Sequence, residues 1–421
     1  MGYLQPLLLP FGVGLGASLL LGPICRRLAL RFGVVDQPGG RKIHGEPIPL
    51  LGGVAIVGAT AAGALAAGPA HPALRTILLA GAGVMLLGAY DDKRSRLGPP
   101  AWWLKLLVEA VLALLVMQQG MSLSFLPPWL AMPVTLFWVL GITNAFNLLD
   151  NMNGLSAGIA AVSALTFAVL AARYVEVGPE QLPTAVLAAA LGGACLGFLP
   201  YNFRSRIFMG DAGSLFLGFA LACLAVLGSW RSPTQPTSVI IPLLVLAYPI
   251  FDTTLVVWLR LLTHCSPVVG ARDHSSHRLV RFGLGRVETV VLIYLFAISH
   301  ALTAVIVSSV TLRLSLLALA GSVAVLFIFG MVPRKAPPWE GQEEAFAGGQ
   351  VKMVLVEGRG DDDVLAQVAY QAPREDAGAG LGVHVVDGVE LRLTDPEDRH
   401  GAALGQGAHA GVGQDVVHRT D

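Results

Sequence analysis

Residues 4–24 read LQPLLLPFGVGLGASLLLGPI, and residues 25–31 read CRRLALR. A helix needs about 20 predominantly apolar residues to cross a bilayer, and the first run supplies them. No basic residue precedes that run, whereas Arg26, Arg27 and Arg31 follow it. A cleaved signal peptide carries its positive charge first, so the polarity is wrong for one. The stretch therefore reads as a retained transmembrane helix. Its N-terminus is placed outside, because Arg and Lys favour the cytoplasmic side.

The same kind of run recurs along the chain. Of its 421 residues, 54% are hydrophobic and only 13% charged, against roughly 25% charged in soluble domains. Candidate helices fall near 4–24, 48–68, 74–90, 102–118, 127–146, 155–173, 183–199, 212–230, 238–259, 287–308 and 312–331. The expected fold is an all-α polytopic membrane protein with about 11 transmembrane helices. Alternating sides from the first helix puts connection 25–47 and every second one after it inside. The outside connections then hold only Arg75, Arg173, Arg231 and Arg313. The inside excess of Arg and Lys is about four to one, an independent support for the orientation.

Beyond Arg334 the composition shifts to Gly, Ala, Asp and Val. Residues 1–333 form the expected membrane domain, and 334–421 a cytoplasmic tail, either disordered or a small appendage. Runs 351–356 and 383–393 read as strands, and Asp361, Asp362 and Asp363 as a solvated loop. Net charge is zero, so no bulk field points to a nucleic-acid partner. Cys25, Cys195, Cys223 and Cys265 lie in or beside apolar segments without zinc spacing, and read as free core thiols.

Ionisable residues are costly near apolar helices and are usually kept for function. Here they gather at the predicted inside ends. Asp36, Arg41, Lys42 and His44 precede the second helix; they read as a phosphate-binding loop or as a clamp on lipid headgroups. Asp91 and Asp92 end the third helix beside Lys93, Arg94 and Arg96. Either a divalent cation relieves their mutual repulsion, or the basic neighbours pair with them. Asn144, Asn147 and Asp150 recur every third residue and share one helix face, followed by Asn153. Such a stripe faces a ligand or bonds another helix. Arg204 and Arg206 precede Gly210, Asp211, Gly213 and Ser214. Asp211 or Ser214 is an ordinary N-cap, or the helix start binds phosphate. Arg272, His274, His277 and Arg278 sit in one loop and would hold a metal or phosphate oxygens. Within helices, Lys105 and Glu109 read as an i,i+4 pair that neutralises itself, and Asp252 as a support or a structural hydrogen bond.

Phosphoryl transfer needs positioning and charge neutralisation more than covalent chemistry. Magnesium takes one or two carboxylates and leaves room for phosphate and water. Asp91, Asp92, Asp150 and Asp211 supply the carboxylates, and Lys42, Arg204, Arg206, His274 and Arg278 the positive charge.

The segments VDQPGGRKIHGEPIPLLGG (35–53), GAYDDKRSRLG (88–98), NAFNLLDNMNGL (144–155), FMGDAGSLFLG (208–218) and DHSSHRL (273–279) occur in this order. Together they resemble the polyprenyl-phosphate N-acetylhexosamine-1-phosphate transferases, glycosyltransferase family 4. That family includes the undecaprenyl-phosphate N-acetylglucosamine-1-phosphate and phospho-N-acetylmuramoyl-pentapeptide transferases. The resemblance covers about residues 1–333. It implies transfer of a HexNAc-1-phosphate, here most like N-acetylglucosamine 1-phosphate, from a UDP-N-acetylhexosamine to a polyprenyl phosphate lipid with loss of UMP. It implies magnesium, with manganese as the alternative ion, and a multi-pass cytoplasmic-membrane enzyme whose site faces the cytoplasm. The product feeds cell-envelope polysaccharide synthesis. A homodimer is compatible with this.

By motif position the resemblance makes Asp91 and Asp92 the paired aspartates, one of them the base for the lipid phosphate. Asp211 becomes a metal ligand, with Asp92 and Asn147 beside it. Asn144, Asn147, Asp150 and Asn153 line the nucleotide side. His274 and His277, with Arg204, Arg272 and Arg278, hold the donor's phosphates, and Lys42 and His44 lie near the nucleotide or lipid phosphate. Two positions depart from the family pattern: Asn153 stands where an aspartate is usual, and Ser276 where a further histidine is common. An inactive homologue is one rival reading. A secondary transporter is the other, and it is disfavoured because its charges would lie near the bilayer midplane.

Overall fold

The computed structural model describes residues 4–37, 47–68, 71–94, 102–123, 126–175, 178, 181–228, 230, 237–262, 274–331, 350–356 and 365–371. The chain divides into two compact units, Met1–Pro337 and Pro338–Asp421.

The first unit is helical. It comprises α1 (Gln5–Arg31), α2 (Gly52–Ala66), α3 (Pro72–Arg94), α4 (Trp102–Met117), α5 (Pro128–Leu149), α6 (Leu155–Tyr174), α7 (Leu182–Asn202), α8 (Gly210–Leu227), α9 (Thr237–Val245), α10 (Ala247–Leu262), α11 (Ser275–Arg281), α12 (Arg286–Val307) and α13 (Leu312–Met331). A two-residue antiparallel pair, β1 (Val35–Asp36) with β2 (Ile48–Pro49), leads into α2. Among the described residues, 8 helices are long and apolar enough to cross a membrane, or 9 if the bent pair α9–α10 counts as one span. The first unit is thus that of a multi-pass, mostly helical membrane protein.

The expected helix 238–259 is broken. α9 and α10 meet at 75° around Leu246. Pro249 explains the position: it has no N–H for the carbonyl of Val245, and its ring crowds that carbonyl. The expected helix 48–68 is shorter, because Ile48 and Pro49 belong to β2.

α6, α7 and α8 are apolar all round and form the buried centre, whereas α13 is almost wholly exposed. Small residues let the central helices approach α1: a side chain at Gly193 or Gly197 would run into the backbone carbonyl of Phe11 or Leu15. Without a hydrophobic drive inside lipid, such close packing is what holds helices together. Cys25, Cys195 and Cys223 are free and buried. Cys265 lies outside the described residues.

In the second unit, β3 (Gln350–Val356) and β4 (Leu365–Gln371) pair antiparallel, with Val356 opposite Leu365. The strand expected at 351–356 coincides with β3. The run 383–393 and the acidic run 361–363 lie outside the described residues.

Candidate functional site

The site begins where α3 ends against the start of α8. Gly88 on α3 faces the backbone of Asp211, where any side chain would overlap it. Gly210 adopts φ +65, a conformation glycine takes without strain, and its Cα faces the Asp92 carboxylate. These approaches put the aspartates of α3 beside the first turn of α8. Met209, the residue before α8, provides no side-chain cap. Asp92 provides one from another helix: Oδ1 accepts the N–H of Asp211 at 2.9 Å, and Oδ2 that of Ala212 at 3.3 Å. The anion expected at this helix start is therefore a protein carboxylate. Neither Asp211 nor Ser214 is the N-cap; the Ser214 hydroxyl donates to the carbonyl of Gly210.

Lys105 on α4 joins the acids. Its Nζ lies 3.4 Å from Asp91 Oδ2, 3.3 Å from Asp211 Oδ2 and 3.0 Å from Asn147 Oδ1. The Asn147 amide donates to Asp211 Oδ1 at 2.8 Å and to Ser214 Oγ at 3.0 Å. Lys105 and Glu109, expected to neutralise each other, make no direct ion pair; the contact ion pairs of Lys105 are with Asp91 and Asp211. Glu109 instead accepts the Asn144 amide at 2.6 Å. α4 packs against α3 and α5, Lys105 reaches across to Asp211 on α8, and one turn of α4 serves two different sets of partners. Lys105 is the central residue that the sequence reading set aside. A lysine inside an apolar helix was the available signal, and the nearby glutamate masked it.

Asp150 follows α5 as its C-cap residue. Its carboxylate has no hydrogen bond among the described residues. Burial, with the carboxylates of Asp211 and Asp92 nearby, pushes it up to about 8. The turn after it is tied down on both sides. The Asn153 amide donates to Ser205 Oγ at 2.6 Å, and the N–H of Gly154 donates to Asn202 Oδ1 at 2.6 Å. Tyr294 on α12 donates its hydroxyl to the carbonyl of Gly154 at 2.6 Å. Arg204 and Arg206 are exposed on the neighbouring turn.

The histidine segment docks on this corner. The hydroxyl of Ser276 donates to Asn151 Oδ1 at 2.8 Å, one residue beyond Asp150. His274 is buried and its Nδ1 lies 2.7 Å from Asp252 Oδ2 on α10. His277 and Arg278 are half-buried on α11, and the rings of His274 and His277 are 6.4 Å apart. Lys42, His44 and Arg272 lie outside the described residues.

Four elements therefore bring together Asp91, Asp92, Lys105, Asn147 and Asp211, with Asp150 alongside and the histidine segment tied through Ser276 to Asn151, the residue after Asp150. Hard oxygen donors suit magnesium. Asp91, Asp211 and Asn147 already turn theirs towards one cation, the Lys105 ammonium. Among the described residues no group of three or more His, Cys, Asp or Glu side chains is placed to hold a metal ion by itself. An open set of one or two carboxylates is what magnesium takes when phosphate and water complete its shell, so the donor chemistry fits that ion.

A family model described as glycosyl transferase family 4 matches residues 74–229, the segment from α3 to α8. The chain is similar to a probable undecaprenyl-phosphate N-acetylglucosaminyl 1-phosphate transferase of Bacillus subtilis (strain 168). The two are 36% identical over 318 residues, covering 73% of this chain and 86% of the relative. A decaprenyl-phosphate N-acetylglucosaminephosphotransferase of Mycolicibacterium smegmatis is 30% identical over 310 residues, 64% of this chain and 74% of the relative. A phospho-N-acetylmuramoyl-pentapeptide-transferase of Heliobacterium modesticaldum is 35% identical over 249 residues, 53% of this chain and 75% of the relative.

Proposed function

The chain belongs to glycosyl transferase family 4, and from that premise we propose that it transfers N-acetylglucosamine 1-phosphate from UDP-N-acetylglucosamine to undecaprenyl phosphate, releasing UMP. The observation that carries this reading is the meeting of Asp91, Asp211 and Asn147 on the Lys105 ammonium. A charged cluster of that kind at the ends of apolar helices suits a diphosphate donor and a lipid phosphate acceptor. The sugar follows from the relatives, several of which are named for N-acetylglucosamine.

In the proposed reaction an oxygen of the lipid phosphate bonds to the sugar-bearing phosphorus of the donor. The bond from that phosphorus to the bridging oxygen breaks, and UMP leaves with the electron pair. Asp91 accepts the proton of the lipid phosphate. Lys105 holds the phosphate oxygens as negative charge gathers on them, the preorganised electrostatic stabilisation that such transfers rely on. Asp92 fixes the start of α8 and with it Asp211. His274 and His277, with Arg278, hold the donor's phosphates. Magnesium, with manganese as the alternative, would sit on Asp211 and Asn147 with Asp92 or Asp150 beside them. When bound, it neutralises charge on the diphosphate. The N-terminus lies outside and the site faces the cytoplasm, a placement supported by the distribution of Arg and Lys.

The test is UMP release by detergent-purified protein given undecaprenyl phosphate, UDP-N-acetylglucosamine and magnesium. Lipid-dependent UMP, abolished by chelation and by Asp211→Asn, is the expected result. A folded sample that releases no UMP from any UDP-N-acetylhexosamine would overturn the reading.

A further inference from the structure

Asp252 is an acid in the interior of α10, 1% exposed, and the transfer reaction as proposed gives it no part. It is nonetheless fully engaged. Oδ1 accepts the backbone N–H of Ser275 at 2.8 Å and the Ser275 hydroxyl at 2.7 Å. That hydroxyl has one hydrogen, already given to Asp252. The 3.0 Å contact between Ser275 Oγ and Tyr248 must therefore be donated by the tyrosine O–H. Oδ2 lies 2.7 Å from His274 Nδ1. Of a carboxyl and an imidazole sharing one proton, the imidazole is ordinarily the stronger base, with a pKa of about 6.5 against about 3.9 for the free groups. Asp252 therefore acts as a carboxylate, which only accepts. The proton between Oδ2 and the ring then belongs to Nδ1.

We infer that Asp252 is a positioning residue for the transfer: by accepting the Nδ1 proton of His274 and fixing its ring, it leaves Nε2 to carry the second proton of the imidazolium and donate it in a hydrogen bond to a phosphate oxygen of the donor. Nε2 has no partner among the described residues. The hydrogen bond made by one imidazole nitrogen decides what the other can do, and a carboxylate behind a functional histidine fixes both tautomer and orientation. The same carboxylate sets the entry of α11, since His274 is its N-terminal flanking residue and Ser275 its first residue. The Ser276 to Asn151 bond then anchors this turn beside Asp150. The break at Leu246 has a role here: it places Tyr248 and Asp252 on the segment behind the histidine.

This inference rests on the proposed transfer, so its test has one arm that does not need turnover. The first arm is 15N–1H NMR of imidazole-labelled protein, with His274→Gln used to assign the ring. The expected wild-type signal is Nδ1–H. In Asp252→Asn the amide keeps an oxygen for Ser275 and turns an N–H towards Nδ1, so the proton is expected on Nε2. A wild-type ring with hydrogen on Nε2 alone, or an Asp252→Asn ring unchanged from wild type, would overturn the inference whether or not the enzyme turns over.

The second arm is kinetic. Asp252→Asn is expected to lower kcat/KM for the UDP-sugar by about 10- to 100-fold, the range for losing a carboxylate behind a working histidine. KM for the lipid phosphate stays as in wild type. In the His274→Gln background the same substitution adds nothing. Effects that multiply in the double variant, or an Asp252→Asn enzyme with wild-type constants, would refute it. If wild type shows the Nδ1–H signal but releases no UMP, the transfer reading has failed and the role assigned to Asp252 falls with it. If Asp252→Asn does not fold, the wild-type ring signal still decides.

Discussion

The carboxylate of Asp92, at the end of α3, accepts the backbone N–H of Asp211 in the first turn of α8, at 2.9 Å. An aspartate that caps another helix has a structural duty that is independent of any metal. An amide at that position offers one oxygen to two N–H donors, and removes a negative charge from the positive end of the helix dipole. Lost caps cost about 1 kcal/mol, and the dipole term adds about 0.3–1 kcal/mol. Asp92→Asn is therefore expected to melt earlier than wild type with magnesium and with EDTA alike. Asp211→Asn, by contrast, should lose the magnesium-dependent rise in melting temperature. Differential scanning fluorimetry in detergent reads both. An Asp92→Asn protein that melts like wild type in EDTA would show that the cap contributes nothing.

Lys105 compensates two carboxylates, Asp91 and Asp211. Lys105→Met leaves both facing each other across Asn147 without a cation. UMP release should fall by about 100-fold or more, the scale for losing a preorganised electrostatic group. The melting temperature in EDTA should also fall, and magnesium should restore more of it than it adds to wild type. A Lys105→Met protein with unchanged magnesium dependence would separate the lysine from the proposed magnesium site.

The membrane class and the polar stripe of α5 were legible because each depends on local periodicity. Asn144 and Asn147 must share a face whatever surrounds them, and Asp150 follows as the C-cap of the same helix. The partners of Lys105 and Glu109 were not legible in the same way. Their i,i+4 spacing offers a complete local explanation, and only the packing of α4 against α3 and α5 separates the two. The break at Leu246 was written in the chain: Pro249 removes the N–H that Val245 needs, and only the long apolar run around it hid the consequence. The partner of Asp252 was out of reach, because the segment between α10 and His274 has no periodicity from which to place the histidine.

Glu109 is 1% exposed, and its Oε2 takes the Asn144 amide at 2.6 Å. That bond holds α4 against α5 one turn below Lys105. Glu109→Gln keeps an oxygen for Asn144 and should retain activity within a few-fold. Glu109→Ala removes the acceptor and opens a gap. It is expected to cost about 1–3 kcal/mol of stability and to lower kcat as Lys105 loosens. Equal damage from Gln and Ala would show that the charge of Glu109, and not its hydrogen bond, is what the site uses.

Asp150 sets the pH dependence. Its folded carboxyl titrates near 8 because of burial and the nearby Asp211 and Asp92 carboxylates, against about 3.9 in an unfolded chain. Between those values the folded protein binds more protons than the unfolded one, so stability falls as pH rises. The loss begins above about pH 4 and is complete once pH passes through 8. In EDTA, wild type should therefore melt progressively earlier from pH 6 to pH 8.5, whereas Asp150→Asn, which has no proton to lose there, should show a flatter profile and be the more stable of the two at pH 8.5. Magnesium beside Asp150 would favour its ionised form and flatten the wild-type profile as well. Parallel melting profiles of the two proteins in EDTA would mean that the Asp150 carboxyl is already ionised at neutral pH.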